Sequence, residues 1–315
     1  MRPDAALVRR LAAERGFVQA TTEKALCLLN ILGEIGRHPY LRPRLVLKGG
    51  TALNLFYWDC PRLSVDLDLN YIGALALEGM QAERPQVLSA LQTIATAGGY
   101  RVQRGTPHHA SETWHFWYRS VLGPQDHVEI DLNFLMRVCL FPRQARACAL
   151  DPAVSFEVLA LEELMAGKLV ALLDRTAARD LYDAYRFVLA NAPYDETRLW
   201  RAFVFFAAAG LPLPMWEYDV SRLSRVTEAR IQRELWPVLT QEERPAAKTM
   251  AEAVTPLLSR LLAPQSGGRA FCESVLAGHP ATEHLFPDDK ALAHQAASHP
   301  ALLWKVQNIT GRQET

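Results

Sequence analysis

The sequence predicts an α/β (α+β) fold class, with an α/β N-terminal domain followed by a mainly helical C-terminal domain. Short apolar or alternating segments, which are typical of strands, occur before residue 150. From about Leu159 onward, apolar residues recur almost wholly at helical spacing. A chain of 315 residues has the length of about two domains. We therefore predict a boundary near 150–158, with domains at 1–155 and 156–315.

The N-terminal domain is predicted to begin with a helix and to continue as strands and further helices. Residues 5–36 carry apolar residues at helical spacing, with Gly33 and Gly36 as stop signals. Helices are also predicted over 51–57 and 81–97. The remaining segments have strand patterns, and these are 45–50, 64–72, 100–104, 113–121 and 127–135.

The composition excludes several classes of protein. The chain has 34 basic and 34 acidic side chains and is 50% hydrophobic, so it is neither disordered nor a protein that coats nucleic acid by bulk positive charge. The uncharged stretch from Ala202 to Trp216 is too short to span a bilayer. The five cysteines are scattered and form no CxxC pair. We predict a cytoplasmic protein that makes no membrane contact.

Two acidic residues share one face of the predicted strand 64–72. Because side chains alternate along a strand, Ser64, Asp66 and Asp68 point one way, and Leu67 and Leu69 point into a core. Neighbouring carboxylates repel each other, and stability alone gives no reason to pair them. Oxygen ligands of this kind suit Mg²⁺ or Mn²⁺. The spacing therefore predicts a divalent metal site at Asp66 and Asp68.

A glycine pair precedes this strand in the motif Lys48-Gly49-Gly50-Thr51. Glycines allow a tight turn and close approach to a ligand, and a helix beginning at Thr51 would offer free N–H groups to a phosphate. A GGT sequence is also a common turn, and DxD occurs often on polar strands. Together, in this order, the two motifs predict the transfer of a nucleotidyl or phosphoryl group.

A third carboxylate is expected on a neighbouring strand. Glu129 and Asp131 are the candidates, and they also share a face. We favour Asp131, because the apolar run from Leu132 to Met136 makes it the more interior residue. Either acidic residue could instead pair with a surface arginine.

A second polar constellation lies in the helical half of the chain. Lys168 and Arg175 are seven residues apart on one helix face, and Arg179, Asp180 and Asp183 follow on the next helix. An ordinary solvated face would show the same spacing. The chain has only six lysines, however, and a lysine where arginine is the habit favours a compact charge for a phosphate.

These motifs resemble those of AbiEii-type nucleotidyltransferase toxins, which are related to the MenT toxins. The resemblance covers about 45–70 and 158–187, through KGGTAL, RLSVDLDL and a Lys-Leu-x(5)-Arg-x(3)-Arg-Asp-x-x-Asp helix. It implies a minimal polymerase β-like nucleotidyltransferase core with a small mixed sheet, plus a helical domain that completes the active-site cleft.

The resemblance also implies a function. Such enzymes are toxins of toxin–antitoxin or phage-defence systems, and relatives add NMP from an NTP to the 3′ end of tRNA. The implied partners are an NTP, an RNA acceptor and a cognate antitoxin. Asp66 and Asp68 match the family's metal ligands, and Asp131 matches a third carboxylate more loosely. Gly50, Thr51 and Lys168 match its nucleotide contacts, and Asp180 or Asp183 matches a further acidic residue of the helical domain. Beyond the resemblance, we predict nucleotide contacts also at Lys48, Gly49, Arg62, Ser64 and Arg179.

Two other functions are weighed against this one. A small-molecule nucleotidyltransferase of the antibiotic-modifying kind would carry acidic residues around its acceptor. A non-catalytic nucleotide-binding regulatory protein would not need the intact carboxylate pair.

Arginines at 222, 225, 230 and 233 recur near one helix face and predict a local RNA contact. Trp114 and Trp117 lie on opposite faces of their predicted strand, so at most one packs inward.

Overall fold

A computed structural model of the chain describes residues 2–106, 108, 110–263 and 265–313. The chain divides into two compact units. The first unit comprises Met1–Arg137, Arg143–Leu159 and Trp236–Arg244, and the second comprises Val138–Pro142, Ala160–Leu235 and Pro245–Thr315. Each unit therefore contains a segment that is distant in sequence from the rest of it.

The first unit contains a seven-stranded mixed sheet with the strand order β3-β4-β5-β2-β1-β7-β6. Its strands are β1 (Leu45–Lys48), β2 (Asp66–Tyr71), β3 (Arg101–Arg104), β4 (Ser111–Arg119), β5 (Gln125–Asn133), β6 (Gln144–Ala147) and β7 (Ser155–Val158). Its helices are α1 (Ala5–Arg15), α2 (Gln19–Arg37), α3 (Gly49–Ala52) and α4 (Leu77–Ala97). The α3 helix continues as a π-helical turn, Leu53–Tyr57.

Alternation along the central strands builds the core of this unit. β2 pairs in parallel with β5 and antiparallel with β1, and β4 pairs antiparallel with β5. Buried apolar residues alternate with half-buried polar ones, as Ile130 does with Glu129 and Asp131. The helices α2 and α4 contact the sheet. One face of β2, β4 and β5 is therefore apolar and the other polar.

The predicted helix over 5–36 is two helices. The chain leaves α1 at Gly16, whose φ of +72° is a conformation that favours glycine, and α2 then runs through Gly33 and Gly36 to Arg37. The predicted helix 81–97 begins earlier, at Leu77. The short strands β6 and β7 lie in a stretch to which the sequence pattern assigned no element.

The second unit is helical. Its helices are α5 (Leu161–Arg175), α6 (Ala178–Ala190), α7 (Glu196–Gly210), α8 (Glu228–Glu234), α9 (Ala247–Leu262), α10 (Ser266–Leu276), α11 (Lys290–Ala297) and α12 (Pro300–Gln313). α5 packs against α7 and α6, and α6 packs against α9. The predicted mixture of a sheet-containing part and a mainly helical part is confirmed. No helix in the described ranges has both the length and the hydropathy to cross a membrane.

Candidate functional site

The central feature of the first unit is a row of carboxylates on the polar face of the sheet. On β2, Asp66 and Asp68 are half-buried, while Leu67 and Leu69 between and beyond them are fully buried. The two aspartates therefore lie on one face and the leucines on the other, as the alternation predicts. The apolar side anchors the strand and holds both carboxylates in place.

Strand β5 brings two more carboxylates alongside. Its parallel register sets Glu129 opposite Asp66 and Asp131 opposite Asp68. Burial raises the pKa of Glu129, and the neighbouring charges of Asp131 and Asp66 raise it further. Burial also raises the pKa of Asp131; a hydrogen bond from Thr113 opposes this rise, and the charge of Asp68 adds to it. The four groups form a concentrated negative face.

The chemistry of these donors fits a hard divalent cation, because all are carboxylate oxygens and their mutual repulsion would be relieved by one. The Thr113 hydroxyl donates to Asp131, and the Nδ1 atom of His115 lies 3.6 Å from Oε2 of Glu129. Within the part of the chain that the structure describes, no three His, Cys, Asp or Glu side chains form a metal-binding group. The assignment of Asp131 as a third ligand stays a prediction.

The glycine motif approaches this row directly. β1 ends at Lys48 and the helix begins at Gly49, two residues earlier than predicted. Gly49 has a φ of +71°, and a Cβ there would overlap Oδ2 of Asp68 and lie 2.7 Å from its carboxyl carbon. Glycine is therefore required at 49 both by the backbone conformation and by the closeness of Asp68.

Gly50 rests on two buried polar side chains. A Cβ at Gly50 would lie 2.6 Å from a guanidinium nitrogen of Arg62 and 3.1 Å from the Ser64 hydroxyl. Arg62 is 1% exposed, and it donates to the carbonyl of Leu63 at 2.9 Å. Arg62 and Ser64 thus lie behind the glycine turn, and Arg62 places a positive charge there.

The residues on either side of the glycines both connect to β2. The Lys48 ammonium lies 3.4 Å from Oδ1 of Asp68, its cross-strand partner. The Thr51 hydroxyl is buried and donates to the backbone carbonyl of Asp66 at 2.6 Å. The side chain of Thr51 therefore positions the carboxylate strand, which is a role that the sequence pattern did not predict.

A separate ionic cluster lies in the second unit, on α5 and α6. The Lys168 ammonium is 2.7 Å from Asp180 and 3.2 Å from Asp183, and Arg175 also pairs with Asp180 at 2.7 Å. Burial alone would raise the pKa of Asp180, but Lys168 and Arg175 hold it well below its usual range. The cluster brings both candidate aspartates to the predicted lysine. Arg179 lies half-buried in the first turn of α6.

Two of the arginines predicted to contact RNA bind the end of α5, and their contact with RNA stays a prediction. Arg222 donates to the carbonyls of Leu173 and Asp174, at 2.6 and 3.0 Å. Arg230 donates to the carbonyl of Thr176 at 2.7 Å and pairs with Glu234. These cations satisfy the last carbonyls of the helix, where its dipole is negative. Helical spacing alone does not distinguish such capping from a ligand-binding patch.

Thr113 is a residue that the sequence reasoning missed. It lies directly across from Asp131 in the antiparallel pairing of β4 with β5. The two segments were predicted as strands, but neither their pairing nor its register was. A hairpin register taken through the loop between Ser120 and Pro124 would have placed Thr113 beside Asp131.

Comparison with known proteins identifies one family from the sequence and a solved structure with a similar fold. The sequence model of a family described as "Nucleotidyl transferase AbiEii toxin, Type IV TA system" matches residues 31–264. The sequence matches no curated protein. Among solved structures, MenT4, described as a nucleotidyltransferase toxin from Mycobacterium tuberculosis H37Rv, has a TM-score of 0.63 at 18% identity, over 95% of this chain and 98% of that chain. This likeness confirms the predicted fold class.

A more distant structure is JHP933 from Helicobacter pylori, with a TM-score of 0.44 and 13% identity, covering 78% of this chain and 93% of that one.

Proposed function

Because the chain belongs to the AbiEii nucleotidyltransferase toxin family of type IV toxin–antitoxin systems, we propose that it transfers NMP from an NTP to the 3′ end of an RNA acceptor, a tRNA. The transfer would block translation, and a cognate antitoxin would oppose it. The observation that supports this proposal is the approach of the Gly49–Gly50 turn to the carboxylate of Asp68. A phosphate chain and a pair of acidic ligands would thereby meet at one point.

Asp66 and Asp68 are the proposed ligands of Mg²⁺ or Mn²⁺, with Asp131 as the candidate third ligand. When bound, such a cation supplies charge stabilisation to the attacking and leaving oxygens of the transfer. Lys48 would then exchange its contact with Asp68 for one with phosphate. A cation bound at Asp68 would compete with the Lys48 ammonium for the same carboxylate and so release it.

The triphosphate is proposed to bind at the turn after β1. Backbone N–H groups at Gly50 and Thr51 would donate to phosphate oxygens, and the buried Arg62 and Ser64 would support the turn from behind. The RNA 3′-hydroxyl would attack the α-phosphorus, forming a new phosphodiester bond, and pyrophosphate would leave. Asp131, which lies opposite Asp68, is proposed either to ligate the cation or to accept the hydroxyl proton.

The cluster on α5 and α6 is proposed to contact the nucleotide. Lys168 would supply a point charge, and Arg179, Asp180 and Asp183 would set its position. Because Lys168 pairs with two buried aspartates, its ammonium is fixed rather than mobile. We expect Lys168→Ala to reduce transfer, because the nucleotide would lose this fixed point charge. The substitution changes the net charge of the cluster by one.

The test is transfer of label from α-labelled NTPs to total RNA. The protein should label RNA of tRNA size, and Asp66→Ala should lower the rate by about 100-fold or more, since an essential charged ligand is removed. Asp59→Ala is the matched control, because the Asp59 side chain is exposed and pairs with Arg15.

Full labelling by a folded Asp66→Ala variant would overturn the mechanism. Label that appears only on a small molecule would indicate an antibiotic-type enzyme, and the absence of any label would indicate a regulatory nucleotide-binding protein. Label on the protein itself would indicate self-modification.

A further inference from the structure

The polar face of the sheet extends beyond the carboxylates onto β4 and β3. In the antiparallel register, His115 lies opposite Glu129 and Trp117 opposite His127. On β3, Arg101 lies opposite Trp117. Cross-strand partners share a face, so these side chains continue the surface that carries Asp66 and Asp68. The predicted function assigns no role to this part of the face.

Trp117 differs from the other tryptophan of its strand. Trp114 points to the opposite face and is 1% exposed, whereas Trp117 is half-buried on the polar face. The Trp117 ring lies 4.5 Å from the His127 ring, at an interplanar angle of 34°, and its Nε1 atom donates to Gln103 at 3.1 Å. The ring is therefore held in position by a tilted neighbouring ring and a hydrogen bond.

A positive charge accompanies the ring. The guanidinium carbon of Arg101 lies 5.6 Å from the centroid of the Trp117 ring, and Arg101 is exposed on the edge strand β3. An aromatic ring beside an arginine is the combination with which proteins bind single-stranded nucleic acid, through base stacking and phosphate contact. A purely apolar partner would bury this charge without pairing it.

The strand order separates this surface from the proposed triphosphate site. The glycine turn follows β1, the carboxylates lie on β2 and β5, and Trp117 lies on β4. Adjacent strands are about 4.8 Å apart, so Trp117 is roughly 10 Å to the side of β2 that is away from β1. In a nucleotidyl transfer the acceptor approaches opposite the leaving pyrophosphate. This order therefore favours the acceptor, rather than the NTP base, as the occupant.

We infer that Trp117 and His127, with Arg101 beside them, form a stacking platform for a base in the single-stranded end of the RNA acceptor. The platform would hold the acceptor so that its 3′-hydroxyl reaches the carboxylates. The inference rests on the proposed function for its occupant, while the binding itself can be measured without catalysis.

The first experiment measures binding of a fluorescent single-stranded oligoribonucleotide to the full chain in EDTA, by anisotropy. Trp117→Ala should weaken binding by about 5- to 150-fold, the range found for the loss of one base–aromatic stack. Trp117→Phe should restore most of the affinity, because an aromatic face is kept. Trp304→Ala, at an exposed tryptophan on α12, is the control and should bind as the wild type does.

The second experiment separates acceptor from nucleotide. In the labelling assay, Trp117→Ala should raise KM for the RNA and leave KM for the NTP unchanged. A rise in the NTP KM alone would assign the ring to the nucleotide base and overturn the inference, as would unchanged RNA affinity of a folded Trp117→Ala variant. If the wild type binds the oligonucleotide through Trp117 but transfers no label, the proposed function fails while the platform stands.

Discussion

At Gly49, one hydrogen atom takes the place of a side chain beside an acidic group. The left-handed backbone at this position and the closeness of Asp68 both exclude a Cβ. Thr51, two residues on, holds the carbonyl of Asp66 by its hydroxyl. Two residues of the motif thus contact the two aspartates of β2, Gly49 at the carboxylate of Asp68 and Thr51 at the backbone of Asp66. The prediction of a phosphate turn from Gly49 and Gly50 did not include this positioning role.

Gly49→Ala should therefore affect activity more than stability. A left-handed alanine costs about 1–2 kcal/mol of unfolding free energy, whereas displacing the Asp68 carboxylate by about 1 Å should lower the transfer rate by about 100-fold. Label transfer and chemical denaturation would measure the two effects. Gly210→Ala is the control, because a Cβ there meets nothing within 4 Å. Unchanged transfer by Gly49→Ala would contradict the close approach.

At the scale of an element, α5 carries polar groups at its start, middle and end. Glu163 lies buried in the first turn, Lys168 lies in the middle, and Arg222 and Arg230 hold the last carbonyls. The Glu163 carboxylate accepts a hydrogen bond from the backbone N–H of Phe141 at 3.2 Å. Burial raises the pKa of Glu163 to about 7, although backbone donors at Phe141 and Leu140 oppose the rise.

The raised pKa of Glu163 predicts that the stability of the protein falls as the pH rises. The ordinary pKa of glutamate is 4.5, so between pH 4.5 and about 7 the folded state holds a proton that the unfolded state has lost. The contribution of Glu163 to the free energy of unfolding is therefore fully present below pH 4.5. As the pH rises to about 7, the free energy of unfolding falls by roughly 3 kcal/mol at most. Glu163→Gln should remove that loss, as measured by urea denaturation across this pH range.

The control for this measurement is Glu162→Gln, at the neighbouring half-buried residue of the same turn. It should keep the pH dependence of the wild type. A Glu163→Gln variant whose stability follows the wild type at every pH would show that Glu163 titrates at its ordinary value.

The elements also show what local sequence could predict. Strict alternation marked β2 and its acidic face, because period two follows from strand geometry alone. The strands β6 and β7 were missed because β6 has no buried residue to mark a face, and β7 pairs with β1 from a distant part of the chain. The polar face was predicted at Asp66 and Asp68, but its extension to Thr113 and Trp117 needed the pairing register of β4 with β5.

At the scale of the whole molecule, neutrality conceals an uneven distribution of charge. Residues 1–50 contain nine basic and four acidic side chains, whereas the centre of the sheet carries four neighbouring carboxylates. A neutral protein of this kind cannot bind RNA by its overall field. Its contact with RNA should be confined to a few phosphates.

The salt dependence of RNA binding measures how many phosphates the protein contacts. For single strands, the slope of log K against log salt is about −0.7 per phosphate contacted, so two or three contacts predict a slope of about −1.4 to −2.1. Arg101→Gln should make the slope shallower by about 0.7, whereas Arg260→Gln, an exposed arginine on α9, should not change it. A slope steeper than about −5 would indicate an extensive basic surface instead.

The segment Trp236–Arg244 of the first unit is synthesised long after the strands of the sheet. The backbone N–H of Leu63, just before the carboxylate strand, donates to the carbonyl of Val238 at 2.8 Å, and the Thr21 hydroxyl donates to that of Pro237. At about 5–20 residues per second, the ribosome needs about 4–15 s to make residues 160–235 after the last strand is complete. During that interval the nascent chain has every strand of its sheet but lacks the segment that holds Leu63. A growing polypeptide would therefore fix the chain just before the carboxylate strand only after residue 238 has been made.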